Sequence, residues 1–190
     1  MKGKLSSVKL FLLLTGGLFY YGMKFSLADT TNVNIDITGT VYIPPCKING
    51  NDEDVKVYFD KIPLYEVDGY KNAKTKTVTV SCDYYQGTPY IRMEGAMLSG
   101  AGDNVLKTTG ANSSTLGIAL YQGRSVNIAY PLKLGAGEQG KYGYKIMQGL
   151  TGQNTASEQF TFTAVLGKYG TGVLKAGAFS AVATMSISYL

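Results

Sequence analysis

Two stretches at opposite ends of the chain alternate apolar and polar residues with a period of two, and neither has a hairpin partner beside it. In TTNVNIDITGTVYIPPC (30–46), Val33, Ile35, Ile37 and Val41 share one parity, interrupted only by Gly39, while Asn34, Asp36, Thr38 and Thr40 take the other. In GAFSAVATMSISYL (177–190), Phe179, Ala181, Ala183, Met185, Ile187 and Tyr189 face Thr184, Ser186 and Ser188, with Val182 the exception. A period of two is that of a strand with one dry face. Such a face needs a cover, and such an edge needs a partner. The first run leads straight into Pro44-Pro45-Cys46 with no turn to fold it back. It is either the first strand of the chain's own sheet or a strand built for another one.

The middle of the chain sets the fold class. VKVYF (55–59), KTVTVSC (76–82), PYIRM (89–93), TLGIALY (115–121), YKIMQ (144–148) and EQFTFTAVL (158–166) are short and rich in β-branched and aromatic residues. Between them lie the turns NGND, YQGTP, GAGD, GAGEQG and TGQNTAS. No segment carries a capped helical period. The pattern predicts an all-β antiparallel sandwich, one domain by length.

Residues 1–28 form a separate region. Lys2, Lys4 and Lys9 precede the apolar run LFLLLTGGLFYYGM, and Ser26 and Ala28 are small residues two apart, the pattern of a secretory signal cut after Ala28. The alternative, a membrane anchor, is disfavoured because Gly16, Gly17, Gly22 and Lys24 break the run short of the roughly 20 residues a span needs. Four of the 18 Lys+Arg and none of the 13 Asp+Glu lie in this region, which leaves 14 against 13, or +1, for the mature chain. A basic precursor is therefore no argument for a nucleic-acid partner. An exported chain is expected to oxidise its two cysteines, Cys46 and Cys82, and with no histidine present a metal site lacks ligands.

Other motifs are weak. Gly135-Ala136-Gly137-Glu138-Gln139-Gly140 has dinucleotide-site spacing, but KYGYKIM follows where a helix would have to start. Asp52-Glu53-Asp54 lacks the alternate spacing of a calcium loop and reads as a solvated turn. Asn112-Ser113-Ser114 is a glycosylation sequon in a host that glycosylates, and otherwise a polar loop. Tyr84, Tyr85, Tyr121 and Tyr130 would suit a sugar site or a strand face. Without histidine the usual base for a Ser or Cys nucleophile is missing, and no carboxylate pair stands out.

The leader, the alternating arm with its embedded glycine, the early cysteine pair and the apolar C-terminal run together resemble pilus subunits of the chaperone–usher pathway. Gly177, fourteenth from the end, and the penultimate Tyr189 match the family by position. ITGTVYIPPCKING, LGIALYQG, FTFTAV and AVATMSISY resemble the minor tip pilins of P-type pili, and among them the adaptor that joins adhesin to tip fibrillum. The resemblance covers residues 29–190. It implies an incomplete immunoglobulin-like sandwich lacking its last strand; the count of strand-like runs does not itself reveal a gap. It implies a donor arm at 29–42 and a pilin domain at 43–190. In the arm, Val33, Ile35, Ile37 and Val41 would enter a neighbour's groove while Gly39 allows close approach. Gly177, Phe179, Ala181, Ala183, Met185, Ile187 and Tyr189 would form the edge of the chain's own groove. The carboxylate of Leu190 would be anchored by basic residues of a periplasmic chaperone. The implied partners are that chaperone, the outer-membrane usher, neighbouring pilins and the tip adhesin. The place is the pilus tip at the cell surface, with no cofactor and no catalysis. The rivals are a carbohydrate-binding adhesin on the same scaffold, for which the chain has no room for an added lectin domain, and a secreted β-sandwich enzyme.

Overall fold

The computed structural model describes residues 32–190, so the proposed leader lies outside the described residues. Two units divide between Gly39 and Thr40. The described part of the first, residues 32–39, has no regular structure, and its Val33, Ile35 and Ile37 are exposed.

The second unit is built of nine strands: β1 (Lys47–Ile48), β2 (Lys74–Ser81), β3 (Pro89–Gly95), β4 (Val105–Lys107), β5 (Leu116–Gln122), β6 (Tyr144–Lys145), β7 (Leu150–Thr151), β8 (Ser157–Lys168) and β9 (Ala183–Tyr189). Helix is confined to a kinked turn at Asn49–Asp52 and two single 3-10 turns, Leu64–Glu66 and Gly140–Tyr142. One sheet runs β1-β2-β8-β5-β4, with β7 also on β8, and the other runs β6-β3-β9. Every pairing between strands is antiparallel.

The sheets hold together for the reasons the side chains suggest. On β2, Val78 and Val80 point inward, while Thr75 and Thr77 pair across the strands with Thr163 and Thr161 at 3.0 and 2.9 Å. β8 has lost its alternation because both of its faces are covered. Phe160, Phe162, Ala164 and Leu166 enter the main core, and Val165 packs with Leu98, Val105 and Ala119 on the far side. From the second sheet, Ile91, Met93, Ile187 and Tyr189 complete the core. The Cys46–Cys82 disulfide ties the segment entering β1 to the end of β2.

Two expected strands have no ladder. Residues 55–59 keep their beat, with Val55, Val57 and Phe59 inward and Lys56 and Tyr58 outward, yet pair with nothing. The C-terminal run keeps one parity from Phe179 to Tyr189 but becomes a strand only at Ala183, where β3 reaches it. YKIMQ likewise forms a ladder only at Tyr144–Lys145. Alternation specifies which face is dry; a strand also needs a neighbour to bond.

Candidate functional site: an apolar cleft with unpaired edges

Where those two unpaired segments run, the sandwich is open. A cleft of about 1140 Å³ lies between residues 52–62 on one side and 174–185 on the other. It exceeds the roughly 300–1,000 Å³ of ordinary small-molecule sites. Its floor comes from both sheets: Ile118 and Leu120 of β5, Phe162, Ala164 and Leu166 of β8, and Met93 of β3. Val55, Val57 and Phe59 line one wall, and Phe179, Ala181, Ala183 and Met185 the other. The Phe59 and Phe179 rings approach to 6.1 Å between centroids, tilted by 54°.

The backbone at the rim is as telling as the side chains. β9 pairs with β3 along one edge, and among the described residues no strand lies along its other edge, where the Ile187 carbonyl accepts a hydrogen bond from the Cys46 N–H at 2.7 Å. Residues 54–62 make no backbone–backbone hydrogen bond to any other described segment. Neither wall segment, 54–62 or 174–182, pairs with a strand among the described residues, and both stand beside an apolar floor.

The electrostatics are simple. The charged lining residues, Asp52, Glu53, Asp54, Lys56, Asp60, Lys61 and Lys175, are all exposed at the rim. Lys74 meets Asp60 at 3.4 Å, an exposed pair of little energetic weight. The titratable side chains of the lining are exposed while the floor is apolar, so the cleft is suited to taking up apolar side chains and pairing a backbone. Among the described residues no group of three His, Cys, Asp or Glu side chains could hold a metal ion.

The residues singled out from the sequence fall into three places. Gly177, Phe179, Ala181, Ala183 and Met185 line the cleft. Ile187 and Tyr189 lie on the same parity but beyond it, fully buried in the core. The Tyr189 hydroxyl donates to Glu158 of β8 and accepts from the Asn154 N–H at 3.3 Å. Burial, and then the bond to Glu158, push the Tyr189 phenol from its ordinary 10.0 up to about 12. Leu190 closes the β3–β9 end by exchanging two backbone bonds with Thr88, at 2.7 and 3.0 Å. Val33, Ile35, Ile37 and Val41 are exposed, and a side chain on Gly39 would meet nothing within 4 Å.

Asn112 is the residue whose role the sequence concealed. It is buried, and its amide bonds both backbone groups of Lys175 in the cleft wall, at 2.7 and 2.8 Å. With both polar atoms engaged it is not a free glycosylation acceptor. Only the following Ser113-Ser114 drew notice to it, and a partner 63 residues away leaves no local trace.

This geometry is that of a known family. Residues 35–190 match the fimbrial protein family, and the chain belongs to it. It is 40% identical over 172 residues to the fimbrial adapter PapF of Escherichia coli, covering 90% of this chain and 96% of that one. The minor fimbrial protein PrsF of the same organism is 39% identical with the same coverage. The solved structure of the P pilus adaptor subunit PapF, from work on its polymerization reactivity, superimposes with a TM-score of 0.52 at 34% identity. It covers 80% of this chain and all of that one. The fold is therefore the immunoglobulin-like sandwich of the pilins.

Proposed function

We propose that this chain is a minor pilus-tip subunit, an adaptor between the adhesin and the tip fibrillum, which assembles by exchanging strands. The observation that carries the reading is the cleft: an apolar floor between two wall segments that belong to no strand ladder, in a chain whose exposed residues 33–41 repeat the same alternation. The cleft is the acceptor groove. A strand from a periplasmic chaperone fills it first, and at the outer-membrane usher the N-terminal arm of the next subunit replaces that strand. This chain's own arm, with Val33, Ile35, Ile37 and Val41 inserted and Gly39 at a point of close approach, fills a neighbour in turn. Burying four such aliphatic side chains contributes roughly 6–12 kcal/mol before the cost of ordering the arm. On this reading the role is structural, in keeping with membership of the fimbrial protein family. The family likeness supports export through the periplasm to the pilus tip, with chaperone, usher, neighbouring pilins and tip adhesin as partners. The terminal carboxylate at Leu190 is the point the chaperone's basic residues hold.

An open apolar groove beside a free edge invites aggregation. The mature chain should accordingly be insoluble or degraded when expressed alone, and recovered one-to-one when expressed with its cognate chaperone. Deleting residues 29–40 should leave that complex intact and abolish attachment to the subunit the arm fills. A stable, soluble monomer without chaperone, or normal attachment after the deletion, would overturn the reading.

A further inference from the structure

From the hydrogen bonds around the groove we infer that Asn112 and Thr109, in the loop joining β4 to β5, are positioning residues for strand uptake. They hold the unladdered groove wall where an incoming backbone can pair with it. This rests on the reading of the cleft as an acceptor groove.

Residues 174–181 line the groove yet belong to no strand. Every hydrogen bond that fixes them comes from this loop. Asn112 donates from Nδ2 to the Lys175 carbonyl at 2.7 Å and accepts from the Lys175 N–H at Oδ1 at 2.8 Å. That is what one residue of an adjacent strand would supply. Further along, the Thr109 N–H donates to the Ser180 carbonyl at 2.8 Å, and the Ser180 N–H donates to Thr109 Oγ1 at 3.1 Å. Between the two, Gly110 sits at φ +85°, where its backbone passes the Ala178 carbonyl so closely that a Cβ would collide with it. Asn112 is held in place in turn, its carbonyl accepting from the N–H groups of Thr115 and Leu116 at 2.9 and 2.7 Å.

A loop therefore does for this wall what a neighbouring strand does for β9. Strand addition gains affinity from main-chain pairing, and pairing is favourable only to the extent that the receiving edge is ordered beforehand. Without the clamp, each residue of 174–181 would have to be fixed at the moment of uptake.

The test uses the full mature chain purified with its chaperone and challenged with a synthetic peptide spanning the N-terminal arm of another subunit of the same pilus. Asn112→Ala, which removes two ordinary hydrogen bonds, should slow uptake about tenfold. Thr109→Val should slow it about fivefold, and Thr109→Ser, which keeps the hydroxyl, should match the wild type. In hydrogen exchange, the Lys175 amide in Asn112→Ala and the Ser180 amide in Thr109→Val should lose protection while Phe160 and Phe162 in β8 keep theirs. Wild-type uptake rates in both variants would overturn the inference and leave the acceptor reading standing; failure of the wild type to take up the peptide would overturn both. Should Asn112→Ala fail to be recovered with chaperone, the Thr109→Val and Thr109→Ser pair decides the question.

Discussion

At the scale of single residues, Tyr189 and Glu158 carry an energetic tension that makes them sensitive. Glu158 is 2% exposed and its Oε2 has no hydrogen-bond partner, so the Tyr189 hydroxyl is the one group that satisfies this carboxylate from the opposite sheet. Tyr189→Phe removes it and leaves a buried carboxylate with neither oxygen bonded. We expect a loss of about 1–3 kcal/mol. The loss should shrink when Glu158 is first changed to Leu, as a double-mutant cycle on thermal melts of the chaperone-bound chain would read. The same site fixes an alkaline limit. Tyr189 and Tyr169 both hold their protons more tightly folded than unfolded, Tyr169 also being raised to about 12, by burial and then by Tyr121. Their contribution is complete below pH 10 and is lost as the pH rises toward about 12. Stability measured from pH 9 to 12 should fall over that window, and less steeply in Tyr169→Phe. The inward parity of Tyr189 was legible in the sequence. Its partner was not: Glu158 opens a strand where a charge is expected to face water, and 31 residues separate the pair.

At the scale of elements, the sequence exposed the strands that have long partners. β2, β3, β5 and β8 lie within a few residues of their β-branched and aromatic runs, because eight-, seven-, seven- and twelve-residue strands give such a composition room to show. β1, β4 and β7, of two, three and two residues, are too short for any period; their pairing is imposed by neighbours. The reverse failure, at 55–59 and 179–182, is more informative, since the period is present and, among the described residues, a partner strand is absent. The disulfide belongs to this scale as well. It links residues 36 apart and secures the chain where it leaves the arm, beside the Cys46–Ile187 backbone bond. Replacing Cys46 and Cys82 together by Ala should cost about 4 kcal/mol on the chain-entropy estimate. It should appear as reduced recovery with the chaperone, and reductant should reproduce the effect in the wild type.

At the scale of the whole molecule, the groove was not legible in the sequence, because a missing strand leaves no residues to read. Only the two dry faces at the ends of the chain hinted at it, and the family likeness turned the hint into an expectation. The structure separates glycines that the chain's own packing requires from one that it does not. Gly110 is required here, at positive φ and against a carbonyl, whereas Gly39 has no positive φ and no atom within 4 Å of where a Cβ would stand. Among the described residues nothing asks for glycine at position 39, and on the proposed donor-arm reading its reason lies in a neighbour's groove. Gly39→Val should therefore leave recovery with the chaperone and the melting of that complex unchanged, since an exposed arm tolerates the added side chain. On the proposed reading the arm fills the groove of the subunit added before this one, where the same isopropyl group would have to fit between apolar walls at a point of close approach, and overpacking there costs about 1–3 kcal/mol. A peptide of residues 30–42 carrying this change should enter the purified partner subunit at least about tenfold more slowly than the unmodified peptide. Equal entry rates would mean that position 39 meets no close wall, and would remove Gly39 from the assembly contact.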